Sequence, residues 1–151
     1  MLIIETLGAY MGNKIYFCKG LGYEKQKINI ICDFIGFCAK ELGISNKPFC
    51  IYIESQRENS PIVTTAAYSP SEKKCYIYGK NRATADVCRS IAHEMTHMMQ
   101  DYTGNLVGLI KDVGGFHEDQ ANAKAGEIIK KYAYSDDSRM KIYEHFNKFM
   151  I

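Results

Sequence analysis

The sequence predicts an α+β protein in which a small, mostly antiparallel sheet packs against helices, built as one domain over residues 1–151. Two patterns and a length carry this expectation. Apolar residues recur at spacings of three and four through residues 23–42 and 84–102, the period of a helical face, while residues 49–54 and 64–79 hold short aromatic and β-branched runs bounded by turn formers. A chain of 151 residues can bury a single core but not two.

Residues 2–7 and 14–18 (LIIETL, KIYFC) flank a Gly-containing stretch and predict a short strand pair. Between Tyr23 and Leu42, the apolar positions Ile28, Ile31, Phe34, Ile35, Cys38 and Leu42 line one helical face, and Gly43 is a natural stop. Residues 49–54 (FCIYIE) read as a strand and QRENSPI as a polar loop. The TTAAY and KCYIYG runs flank SPSEK and predict a β-hairpin over 64–79. From Thr84 to Tyr102 the period returns to that of a helix. Thr84 is placed to cap it, Asp86 suits its dipole, and Val87, Ile91, Met95, Met98 and Met99 form the apolar face, with Gly104 as its end. Residues 105–115 are a Gly-punctuated apolar connection, a further helix is expected over about 116–134, and a last amphipathic helix carries Met140, Tyr143, Phe146 and Met150.

Charge and cysteine content narrow the function classes. The 19 basic and 17 acidic residues are spread over both halves of the chain, so no polyphosphate-binding face is expected, and no nucleic-acid partner. Apolar runs fall far short of the roughly 20 residues that span a bilayer, so no membrane partner is expected either. Without a secretory leader pattern and without a CxxC pair, the six cysteines are expected as reduced, mostly buried thiols of a cytoplasmic protein.

The chemistry concentrates in SIAHEMTHMMQ, an HExxH composed of His93, Glu94 and His97. Residues four apart on a helix project from one face, so both imidazoles can bind one metal ion, with Glu94 left to hold a water. A chain of this His and Glu content carries the motif by chance roughly once in 150 shufflings, so the surroundings decide. They are favourable, because the motif sits within a strongly periodic helix. A carboxylate, Glu118, with 20 residues between it and His97, lies in FHEDQANAKAGE and can complete a three-ligand site with one open position. The plainer reading of Glu118 is a first-turn carboxylate facing water, that of Gln100 a solvent-facing amide, and that of Met95, Met98 and Met99 soft core packing.

His93-Glu94-x-x-His97 followed by Glu118-x-x-Ala121-Asn122 resembles the gluzincin metallopeptidases, whose second zinc helix carries an ExxxD or ExxAD pattern. The likeness is best over residues 64–125, and the whole is similar to the compact minigluzincins of bacterial and phage genomes. The resemblance implies a zincin-like fold and a hydrolase that binds one Zn²⁺ through His93, His97 and Glu118. It makes Glu94 the general base that takes a proton from water and passes it to the leaving amine, and peptide or protein the substrate, paired to the hairpin strand near Ala66–Tyr68. Asn122 stands where the family has Asp, so the first His would be oriented by an amide oxygen. The metzincin pattern is absent, since positions 100 and 103 are Gln and Thr.

Two alternatives stay open. His117 and Asp119 flank Glu118, and GFHE at 115–118 resembles the glycine-bordered His ligand of the DNA-associated SprT-like proteases, which would make His117 the third ligand; Ala121 and Asn122 favour Glu118. A catalytically silent binding module on the same scaffold is the other. An oxyanion-stabilising residue could be His145, Tyr132, Tyr134, Tyr143 or His117, and the sequence does not choose.

Overall fold

In the computed structural model, residues 2–5, 13–56, 65–104 and 115–144 are described. The elements run β1 (Leu2–Glu5), β2 (Lys14–Phe17), α1 (Lys25–Glu41), β3 (Cys50–Glu54), β4 (Ala66–Ser69), β5 (Lys74–Tyr78), α2 (Thr84–Tyr102), α3 (Phe116–Ser135) and a 3-10 turn at Asp137–Ile142. An α+β architecture is therefore what the chain adopts.

The strand order is β1-β2-β3-β5-β4. The two terminal pairs, β1–β2 and β4–β5, are antiparallel, but β2–β3 and β3–β5 are parallel. The sheet is thus mixed and not mostly antiparallel. The β4–β5 hairpin announces itself through its short turn, whereas β2 and β3 are joined through the whole of α1, and a crossover of that length returns the chain in the same direction.

Alternation places Ile15, Phe17, Ile51, Ile53, Cys75 and Ile77 on the helix-facing side of the sheet, all buried. They meet Ile31, Phe34, Ile35 and Cys38 of α1 and Val87, Ile91, Met95 and Met98 of α2 in one core. Each fully buried side chain of this size contributes roughly 1.5–3 kcal/mol. On the opposite face Tyr16, Tyr52 and Tyr76 stand in register on neighbouring strands, with ring centroids 4.5 and 5.4 Å apart. Their rings stack on one another and cover the outer side of the sheet.

α1 ends at Gly43, whose φ of +72° is the left-handed geometry that closes a helix at little cost only for glycine. α2 starts differently from expectation. Thr84 is the first helical residue and not the cap; its N–H and Oγ1 donate at 2.9 and 2.8 Å to the carboxylate of Glu144, a distant acid that satisfies the helix start and its dipole together. The expected final amphipathic helix is also corrected: Asp137–Ile142 is 3-10, capped by Asp136 through the Ser138 N–H, while Phe146 and Met150 lie outside the described residues. The 105–113 connection lies outside them too. All six cysteines are free, with Cys32, Cys38, Cys75 and Cys88 buried. Burial pushes the Cys32 thiol up to about 11 and Cys38, Cys75 and Cys88 higher, so these are inert packing groups. No helix among the described residues is long and apolar enough to cross a membrane.

Candidate metal centre

α2 packs on β4 and β5 with its apolar face and turns the HExxH toward α3. α3 packs along α2, with Ala121 and Ala125 buried on it. Close approach of α3 carries Glu118, in its first turn, up to the two imidazoles. Glu118 Oε1 is 2.7 Å from His97 Nε2 and Oε2 is 3.2 Å from His93 Nε2, so a single carboxylate lies between both rings. The solvent-facing reading of Glu118 is set aside by these distances.

One ligand atom from each of His93, His97 and Glu118 lies within 4.8 Å of the others. Two imidazole nitrogens and a carboxylate oxygen are the donor set of catalytic zinc sites, and the residues fit such an ion. His117 does not join the cluster. Its Nδ1 is buried without a hydrogen-bond partner among the described residues, and its ring packs edge-on to Phe116 at 5.6 Å.

The electrostatics suit ligation. Burial first, then the neighbouring His97, holds His93 below the ordinary imidazole range, against the pull of Glu118 and of its hydrogen bond to Asn122. A neutral ring keeps a lone pair for a cation. Glu94 is 7% exposed. Burial, with the Glu118 charge second, pushes its carboxyl up to about 8, so a proton can be taken up and released near neutrality.

Gln100 is corrected most. It is 1% exposed, and far from facing water it meets His97 Nδ1 through Oε1 at 2.8 Å while Nε2 donates to the His117 carbonyl at 3.0 Å and to Gln120 Oε1 at 2.8 Å. Its position three residues past His97, on the same helical flank, is the signal that could have found it. Met95 and Met98 are core, as expected, and Met99 packs against it.

The tyrosine candidates separate by location. Tyr132 is buried between Phe34 and Phe37 and donates to Asp33 Oδ2 at 2.6 Å, which commits it to the core. Tyr143 lines a cavity of about 260 Å³ with Glu24, Lys27 and Thr84, at the far end of α2 from the histidines. Tyr134 is 69% exposed late in α3. His145 lies outside the described residues.

The edge strand β4 is tied to the C-terminal turn of α2. Tyr68 donates to Asp101 Oδ2 at 2.6 Å, and Lys73, from the hairpin turn, pairs with the same oxygen at 2.6 Å. One buried hydroxyl and one cation thus fix the position of the sheet edge relative to the HExxH helix. Compared with known protein families, curated proteins and solved structures, the chain matches none of them.

Proposed function

We propose that this protein is a zinc-dependent metallopeptidase, with His93, His97 and Glu118 as metal ligands and Glu94 as general base. The observation that carries the proposal is the convergence of the three ligand atoms within 4.8 Å beside the buried carboxyl of Glu94. A purely structural site has no use for such an acid.

When bound, zinc supplies Lewis-acid polarisation of the scissile carbonyl and lowers the pKa of water from 15.7 in bulk toward about 7. Glu94 takes one proton from the attacking water as its oxygen bonds to the carbonyl carbon. The same carboxyl returns a proton to the amide nitrogen as the C–N bond breaks, so one side chain serves as base and then as acid. Its burial beside the ligand cluster keeps bulk water from competing in that exchange. Gln100 orients the His97 imidazole from its Nδ1 side, and Asn122 is the residue placed to do the same for His93. The substrate is a peptide or protein segment laid alongside β4, the sheet edge that Tyr68 and Asp101 anchor to α2.

The test pairs metal analysis of the purified protein with hydrolysis of a peptide library by wild type and Glu94→Gln. Stoichiometric zinc in both, with cleavage by wild type alone, is the expected result. Zinc retained with no cleavage by either replaces the enzyme by a binding module on the same scaffold, and absence of zinc from wild type ends the metallopeptidase reading.

A further inference from the structure

We infer that Gln100 is a positioning residue that sets the tautomer of His97 and locks it to the helix carrying the third ligand; the inference rests on the zinc-site reading above. The carbonyl oxygen of His117 can only accept, and the group facing it at 3.0 Å is the side-chain amide of Gln100. That amide must therefore present its nitrogen to α3. The opposite orientation would set two oxygens against each other with no proton between them, and would do so in a site 1% exposed to water.

With the nitrogen assigned, Oε1 of Gln100 faces His97 Nδ1 at 2.8 Å, and an amide oxygen there can only accept. His97 Nδ1 must then be the protonated nitrogen. Nε2, which faces Glu118 at 2.7 Å and belongs to the three-ligand cluster, is then the nitrogen left to offer a lone pair once a metal ion replaces the proton it shares with that carboxylate. The chain of direction is continuous: a backbone carbonyl in the first turn of α3 orients Gln100, and Gln100 orients His97 on α2.

The second consequence concerns distance between the helices. Gln100 holds the first turn of α3 at two points, the His117 carbonyl and Gln120 Oε1, on either side of Glu118 in sequence. The residue that selects the ligating nitrogen of one ligand thus also fixes the turn that presents another. Loss of Gln100 removes both at once. Outer partners of this kind change metal affinity by about 10- to 100-fold.

The test uses the full chain and the variants Gln100→Leu, which keeps the bulk, and Gln100→Asn, which stays polar but is one methylene too short to bridge. Thermal melts followed by circular dichroism select the folded variants, and either suffices. In metal-free wild type, ¹⁵N-resolved NMR of the imidazoles is expected to show an exchange-protected Nδ1–H on His97, lost in the variant. Competition with a chromogenic chelator is expected to show zinc binding about 10- to 100-fold weaker in the variant. The inference is overturned if wild type lacks the protected proton, if a folded variant keeps it, or if the variant binds zinc within twofold of wild type. Should wild type bind no zinc, the metallopeptidase reading fails, while the protected proton still decides whether Gln100 orients His97.

Discussion

Removing the charge of Glu94 without changing its shape should make the metal-free protein more stable above neutral pH, and the size of the gain follows from the site. The carboxyl is 7% exposed and faces the Glu118 charge, and its pKa rises from 4.5 to about 8. Below about pH 4.5 the group is protonated in folded and unfolded chains alike and contributes nothing to pH dependence. Between 4.5 and about 8 the unfolded chain has released the proton while the folded one retains it. Stability therefore falls as pH rises through this window, by up to about 1.4 kcal/mol per pH unit. Summed over the window the loss approaches about 5 kcal/mol, and it levels off above pH 8. Glu94→Gln stays neutral throughout and is spared this loss. Paired thermal melts of wild type and Glu94→Gln, with chelator present, from pH 4 to 9 provide the assay. At about 2–4 °C per kcal/mol for a chain of this size, the variant should overtake wild type by roughly 10 °C or more at pH 8 relative to their difference at pH 4.5. A difference in Tm that stays flat from pH 4.5 to 8 would refute the buried, proton-holding carboxyl. Zinc should shrink the difference, because a nearby dication favours the ionised carboxylate.

Three further outcomes are expected. Glu118→Ala should lose stoichiometric zinc while His117→Ala retains it; metal analysis showing the reverse would give the third ligand to His117. Tyr132→Phe should lower stability by about 1–1.5 kcal/mol in urea unfolding, because the 2.6 Å bond to Asp33 goes while Arg139 still pairs with that carboxylate at 2.9 and 3.1 Å. Gly79→Ala should cost about 1–3 kcal/mol, since a Cβ there runs into the Tyr23 hydroxyl and comes within 2.7 Å of Ile53 Cγ2; an unchanged urea midpoint would mean that β5 ends with more room than the packing around Tyr23 allows.

Sequence alone determined what depends on neighbours along the chain. The period of three and four that makes α1 and α2, the turn residues that make the β4–β5 hairpin, the glycine that stops α1 and the i, i+4 placement of His93 and His97 are all local, and each was legible because helix and turn geometry act over a few residues. The identity of Glu118 as a possible partner was legible only as a spacing. Tertiary structure decided the rest, because it depends on which distant surfaces meet. The parallel pairing of β2 with β3 follows from how α1 packs as a crossover, and the start of α2 is completed by Glu144, sixty residues on. Tyr132 belongs to the core because Asp33 of α1 waits for its hydroxyl. Above all, Glu118 and Gln100 look like ordinary polar residues of two separate helices until α2 and α3 pack together. Only then does the amide find His97 on one side and the His117 carbonyl on the other, and the carboxylate find two imidazoles in place of water.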